Sequence, residues 1–182
     1  MKLAIKEYWE NLKLEYEATY NASIFSDYDV LKKYAERFRT YLITLMCEYS
    51  NDVDVVCTLA TVEQVLRHEE NSIQLLEEFL RKYIDELIDT DKARVYTNLA
   101  FYYTDEGNIK EYDYLSAAVK LNSPYIETYR GLALYHFSVY REKGSAEDLK
   151  RSLHAFEKGR TVSDGYEMNF GYAVCLFELD RK

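Results

Sequence analysis

Tyr96-Thr97-Asn98-Leu99-Ala100-Phe101-Tyr102-Tyr103-Thr104-Asp105-Glu106-Gly107-Asn108 is the stretch on which the fold turns. Its apolar residues recur at helical intervals, and Gly107-Asn108 closes the run. In its middle a large apolar residue, Leu99, is followed at once by a small one, Ala100. The same pairing returns as Leu59-Ala60, Leu132-Ala133 and Phe170-Gly171, giving separations of 40, 33 and 38 residues. A small side chain beside a large one lets a neighbouring helix approach at a fixed crossing point. Recurrence at that period marks a stack of helix pairs.

Outward from that stretch, three- and four-residue apolar spacing continues to both ends of the chain. A first helix spans Leu3 to Tyr20, and Asn21 to Ser26 breaks it. Ser26 or Asp27 caps a second helix that runs to Tyr49. Asn51-Asp52 then caps a third, Val53 to His68. Asn71-Ser72 opens a fourth and Asp89-Thr90-Asp91 a fifth, and a sixth follows from Ile109 to Leu121. Ser123-Pro124 starts a seventh, since proline suits a first helical turn. Gly144-Ser145 precedes an eighth over 146–162, and Asp164-Gly165 a ninth. The connections are short, so consecutive helices must pack antiparallel. The expected architecture is all-α: a right-handed α-solenoid of antiparallel helix pairs, with about nine helices. One helical-repeat domain covers 1–182: an N-terminal helix pair over 1–50, a degenerate repeat over 52–89, repeats over 92–124 and 125–164, and a final helix over 166–182.

Over residues 93–175 the chain resembles the tetratricopeptide repeat family. The stretch 96–108 carries that family's aromatic, large-small pair, aromatic and turn glycine, and Ala118, Leu121 and Pro124 close the repeat. A second repeat runs from Tyr129 through Leu132-Ala133 to Leu149, Ser152, Leu153, Phe156 and Gly159. It departs in His136, where an aromatic is usual, and in about seven extra residues around Tyr140 to Ser145 that lengthen the first helix or its loop. The resemblance implies a groove lined by the first helix of each pair, serving a protein or peptide partner. Carried onto this chain, the groove positions are Thr58, Thr61, Thr97, Asn98, Phe101, Thr104, Arg130, Leu134, Phe137, Asn169 and Tyr172. Asn98 is the first choice for holding a peptide backbone, and Phe101, Phe137 and Tyr172 for apolar sub-pockets. Arg130 is the only cation in the set, so an acidic C-terminal tail is a poor ligand. An extended or helical segment with apolar anchors fits better.

Composition narrows the function further. The 182 residues carry a net charge of −9, and the densest basic stretch, Arg141 to Arg160, is interleaved with acids. Nucleic acid and anionic membranes are therefore disfavoured. One proline and six glycines are too few turn residues for a many-stranded sheet protein. Cys47, Cys57 and Cys175 each lie in apolar sequence with no metal-ligand spacing, which reads as buried thiols in a reducing, cytoplasmic compartment. The N-terminus lacks a signal-peptide pattern, and no run approaches the roughly 18 apolar residues of a membrane span.

Catalytic constellations are absent from the sequence. Three residues before His68, His136 and His154 stand Val65, Ala133 and Arg151, so no di-iron Glu-x-x-His pair exists. No zincin motif or phosphate-cradling glycine loop occurs, and no cofactor or metal is implied. The expectation is a non-enzymatic adaptor. The alternative is the peptide-sensing domain of a bacterial regulatory system without its own DNA-binding module.

Two features stand apart. Tyrosine occurs nineteen times, and Tyr102, Tyr103, Tyr112, Tyr114, Tyr125 and Tyr129 cannot all face inward, which suits a binding surface. The ninth helix is apolar nearly all round, and no partner helix follows it in this sequence. Tyr166, Phe170, Val174 and Phe177 are thus expected at an interface with a second copy, a partner protein or further repeats.

Overall fold

A side-chain cap marks the start of four helices in the computed structural model, which describes residues 1–20, 27–103 and 108–181. The nine helices among these residues are α1 (Lys2–Tyr20), α2 (Tyr28–Glu48), α3 (Val53–Val65), α4 (Glu69–Tyr83), α5 (Asp89–Tyr102), α6 (Ile109–Lys120), α7 (Ile126–Lys143), α8 (Ala146–Val162) and α9 (Tyr166–Asp180). The described residues contain no strand. Asp27 Oδ1 accepts from the amides of Asp29 and Val30 at 2.8 and 3.3 Å, and Asp52 Oδ1 from that of Val55 at 3.1 Å. Ser26, the other candidate cap of α2, and the break at Asn21 lie outside the described residues.

Three boundaries differ from the sequence expectation. α3 stops at Val65 rather than His68, because Arg67 takes a left-handed conformation with φ 62°. α4 then starts at Glu69, not at Asn71-Ser72. Ser72 is buried, and its hydroxyl donates to the Glu69 carbonyl at 2.6 Å. α7 starts at Ile126, two residues after Pro124. Ser123 is used instead in a buried hydroxyl chain, with Thr128 Oγ1 2.7 Å from Ser123 Oγ and 2.7 Å from Thr97 Oγ1. The extra residues around Tyr140 lengthen α7 itself, which ends where Gly144 adopts φ 69°, open to glycine at no steric cost.

The chain divides into two compact units, Met1–Asp85 and Glu86–Lys182. In the first, α1 and α2 meet through aromatic rings. Tyr8 stacks on Tyr41 with centroids 3.9 Å apart, Trp9 on Phe38 at 5.1 Å, and Tyr16 meets Tyr34 edge-on at 5.6 Å. Leu42, Val55, Leu59 and Val62 join these rings in one core. Across it, the carboxylate of Glu63 on α3, only 4% exposed, accepts from Arg39 Nε of α2 at 2.7 Å and lies 2.8 Å from His68 Nδ1.

In the second unit α5 and α6 form one hairpin, α7 and α8 the next, and α9 packs on α8. Leu99, Ala100 and Ala133 are buried, as their pairs require, whereas Leu132 is half-buried and Phe170 exposed. In α9 the small residue therefore matters more than the large one. A β-carbon on Gly171 would overlap the ring of Phe156, so α9 lies on α8 at a distance only glycine allows.

The six tyrosines do not form one exposed surface. Tyr102, Tyr103, Tyr112, Tyr114 and Tyr125 are half-buried and Tyr129 is buried. They fill seams between helices: Tyr114 stacks with both Tyr96 and Tyr103 at 5.9 Å, and Tyr112 meets Tyr135 at a tilt with centroids 5.3 Å apart. Cys57 and Cys175 are buried as expected, but Cys47 is exposed near the end of α2. Burial pushes the Cys175 thiol up, which keeps it un-ionised and inert.

Candidate functional site

Helical spacing brings a set of apolar side chains to one cavity in the second unit. Arg130, Leu134 and Phe137 stand three and four residues apart on α7, hence on one face. Tyr166, Phe170 and Val174 repeat every four residues on α9, with Glu167 and Gly171 beside them. Phe101 from α5 and Phe156 from α8 complete the walls of a cavity of about 390 Å³. Its lining is almost wholly apolar. Leu134 is 52% exposed and Phe170 59%, so the mouth is open to solvent. Arg130 Nη1 donates to the carboxylate of Glu167, a pairing of α7 with α9 that neutralises the two charges in the lining.

Four of the expected groove positions line this cavity: Phe101, Arg130, Leu134 and Phe137. Three of the residues expected at an interface, Tyr166, Phe170 and Val174, line the same cavity. Two expectations drawn from different parts of the chain thus fall on one surface. The fourth interface residue, Phe177, lies outside the cavity, 60% exposed with the Arg181 guanidinium 5.4 Å from its ring.

The remaining positions are placed elsewhere. Thr97 is buried and donates to the Ala93 carbonyl at 2.7 Å, so it belongs to the core and no ligand reaches it. Asn98 is half-buried on α5 and is not among the lining residues. Asn169 Nδ2 donates to Asp164 Oδ1 at 2.7 Å, which ties it to the turn before α9. Tyr172 turns toward α8, where the Arg160 guanidinium lies 4.7 Å from its ring. Thr58 and Thr61 lie in the first unit and donate to carbonyls one turn back, at 2.6 and 2.9 Å. Thr104 lies outside the described residues.

Sequence reasoning missed three lining residues: Phe156, Glu167 and Gly171. Phe156 reads as core because it holds a repeat position, and it is indeed 4% exposed. Its ring is shared between packing and cavity wall because Gly171 exposes it. A glycine facing an aromatic one repeat helix away is the signal that marks this.

Two crystal structures of MamA resemble the chain. The first, titled "Crystal structure of MamA", superposes with a TM-score of 0.59 over 82% of this chain and 81% of that one, at 18% identity. The second, "Crystal structure of MamA protein", gives 0.51 over 96% and 82%, also at 18% identity. The fold is tetratricopeptide-like. Identity at this level carries the fold and nothing finer. No protein-family model matches the sequence, and no curated protein does.

Among the described residues, no helix is long and apolar enough to cross a membrane, and no group of three or more His, Cys, Asp or Glu side chains is placed to hold a metal ion.

Proposed function

We propose that this chain is a protein-interaction scaffold whose second unit receives an apolar anchor of a partner segment in the cavity between α5, α7, α8 and α9. The open apolar cavity carries this reading. Monomeric surfaces seldom leave leucine and phenylalanine side chains clustered and more than half exposed unless a partner covers them. With Arg130 and Glu167 paired, the lining offers shape and apolar area rather than net charge. The occupant is therefore an extended or helical segment with one or two large apolar side chains, not a charged tail. Leu176 and Phe177, 41% and 60% exposed, extend the apolar surface along α9 beyond the cavity.

The test is peptide selection. Random peptides of about ten residues, displayed and selected on the protein, should converge on sequences with aromatic or leucine anchors. The double substitution Leu134→Glu with Phe170→Ser changes two side chains that already face solvent, so folding should survive. It should weaken the selected peptides at least about tenfold. Unchanged affinity, or selection without an apolar consensus, would overturn the reading. Light scattering at micromolar concentration separates out a second copy as the occupant: a dimer that dissociates in the double variant would replace the partner peptide in this proposal.

A further inference from the structure

A second cavity, of about 410 Å³, lies between α6, α7 and α8. Its lining differs in kind. Tyr112, Tyr129, Leu132 and Val119 supply an apolar, aromatic floor, while Lys150, Arg151, His154 and Lys158 of α8 supply the wall. In sequence Lys150, Arg151 and Lys158 are interleaved with Glu147, Asp148 and Glu157. The helix leaves Asp148 and Glu157 out of the lining. Of the three acids only Glu147 lines the cavity, leaving three Lys and Arg side chains against one carboxylate. Lys150 and Lys158 make no ion pair among the described residues, whereas Arg151 lies 3.5 Å from Glu147 and 3.7 Å from Asp148.

His136 sits at the inner end of this arrangement. It lines the cavity with its side chain only 8% exposed. Its Nδ1 is fully buried, has no hydrogen-bond partner and faces Asp148 Oδ1 at 3.4 Å. Tyr112 of α6 and Tyr135 of α7 meet the ring edge-on at 5.6 and 5.7 Å, and Arg151 is the other charge acting on it. Burial holds this imidazole below its ordinary value; Asp148 opposes that and Arg151 adds to it. A buried ring nitrogen without a hydrogen bond costs stability unless something uses it.

We propose that this cleft binds a dianionic group, of the phosphate monoester type, carried on an aromatic or apolar body. The body rests on Tyr112, Tyr129 and Leu132. The dianion meets Lys150, Arg151 and Lys158; set against Glu147 and Asp148 their excess is one charge, and a protonated His136 supplies the second. His136 completes the site by taking up a proton when the anion arrives, because a nearby negative charge favours the imidazolium.

The probe is phenyl phosphate, measured by calorimetry and by following the histidine ring signals in NMR. Phenyl phosphate should bind at least about tenfold more tightly than inorganic phosphate, which lacks the body, and than benzyl alcohol, which lacks the charge. Lys150→Gln with Lys158→Gln, both at exposed side chains, should reduce its affinity about tenfold without moving the unfolding midpoint. The titration midpoint of His136 should rise on binding. Equal affinity for the three probes, or an unchanged Kd in the double lysine variant, would overturn the proposal. So would a His136 signal that does not respond.

Discussion

Gly171→Ala tests the packing that builds the candidate site. A methyl group there would overlap the ring of Phe156, whose Cε2 alone would lie 2.9 Å away. That ring is rigid, 4% exposed and held in the core of the second unit with Met168 and Cys175, so it cannot swing aside. Overpacking of this kind costs about 1–3 kcal/mol, and a buried ring struck by a backbone-anchored methyl belongs near the upper end. Replacing a helical glycine by alanine returns about 1 kcal/mol through helix propensity. The net expectation is a loss of about 2 kcal/mol, which at a urea dependence of about 2 kcal/mol per molar lowers the denaturation midpoint by about 1 M. Phe156→Leu in the Gly171→Ala background should recover part of that loss, and a double-mutant cycle should give a coupling of about 1 kcal/mol. An unchanged or raised midpoint is what helix propensity alone predicts, and it would refute the close contact between α8 and α9.

The other predictions follow from single contacts. Ala100→Leu should destabilise by about 1–3 kcal/mol in chemical denaturation, because Ala100 is 1% exposed at a large-small pair of α5; no loss would place it away from a helix crossing. Arg39→Met should cost about 3 kcal/mol by leaving the Glu63 carboxylate buried with His68 alone. Adding Glu63→Leu should recover much of that, and a double variant as unstable as the single would show that the carboxylate is not the cause. His136→Phe should flatten the acid side of the stability profile. The folded imidazole titrates below its unfolded value of about 6.5, so the unfolded state takes up the proton first and wild-type stability falls as pH drops below that value. Comparing wild type and variant by denaturation at about pH 7.5 and 5.5 checks this, and a difference between them that is the same at both would contradict it.

The helices were legible in sequence because their signals are local. A three- to four-residue apolar period, an aspartate at an N-cap and Gly144 after α7 act within a turn or two of chain, so Asp52 is readable directly, Asp27 as one of two candidate caps beside Ser26, and the extra residues around Tyr140 as lengthening either α7 or its loop. The misread boundaries have the opposite cause. Ser123-Pro124 and Asn71-Ser72 resemble helix starts locally, but Ser123 is drawn into a buried hydrogen bond with Thr128 of α7 and Ser72 into a part-buried one with Gln64 of α3.

What the sequence by itself determined is the all-α array and the common face of Arg130, Leu134 and Phe137 on α7. What only the tertiary structure decided is which faces meet. Thr97 looked like a groove position until Thr128 across the helix crossing took its hydroxyl. Tyr166, Phe170 and Val174 looked like a separate interface until α9, seated on Phe156 through Gly171, brought them to the cavity of Phe101 and Phe137. The interleaved charges of α8 looked neutral until the helix turned Lys150, Arg151 and Lys158 toward one cleft. The physical reason is range: periodicity fixes the direction of a side chain relative to its own helix axis. The distance and crossing angle to the next helix depend on the volumes of both partners at once.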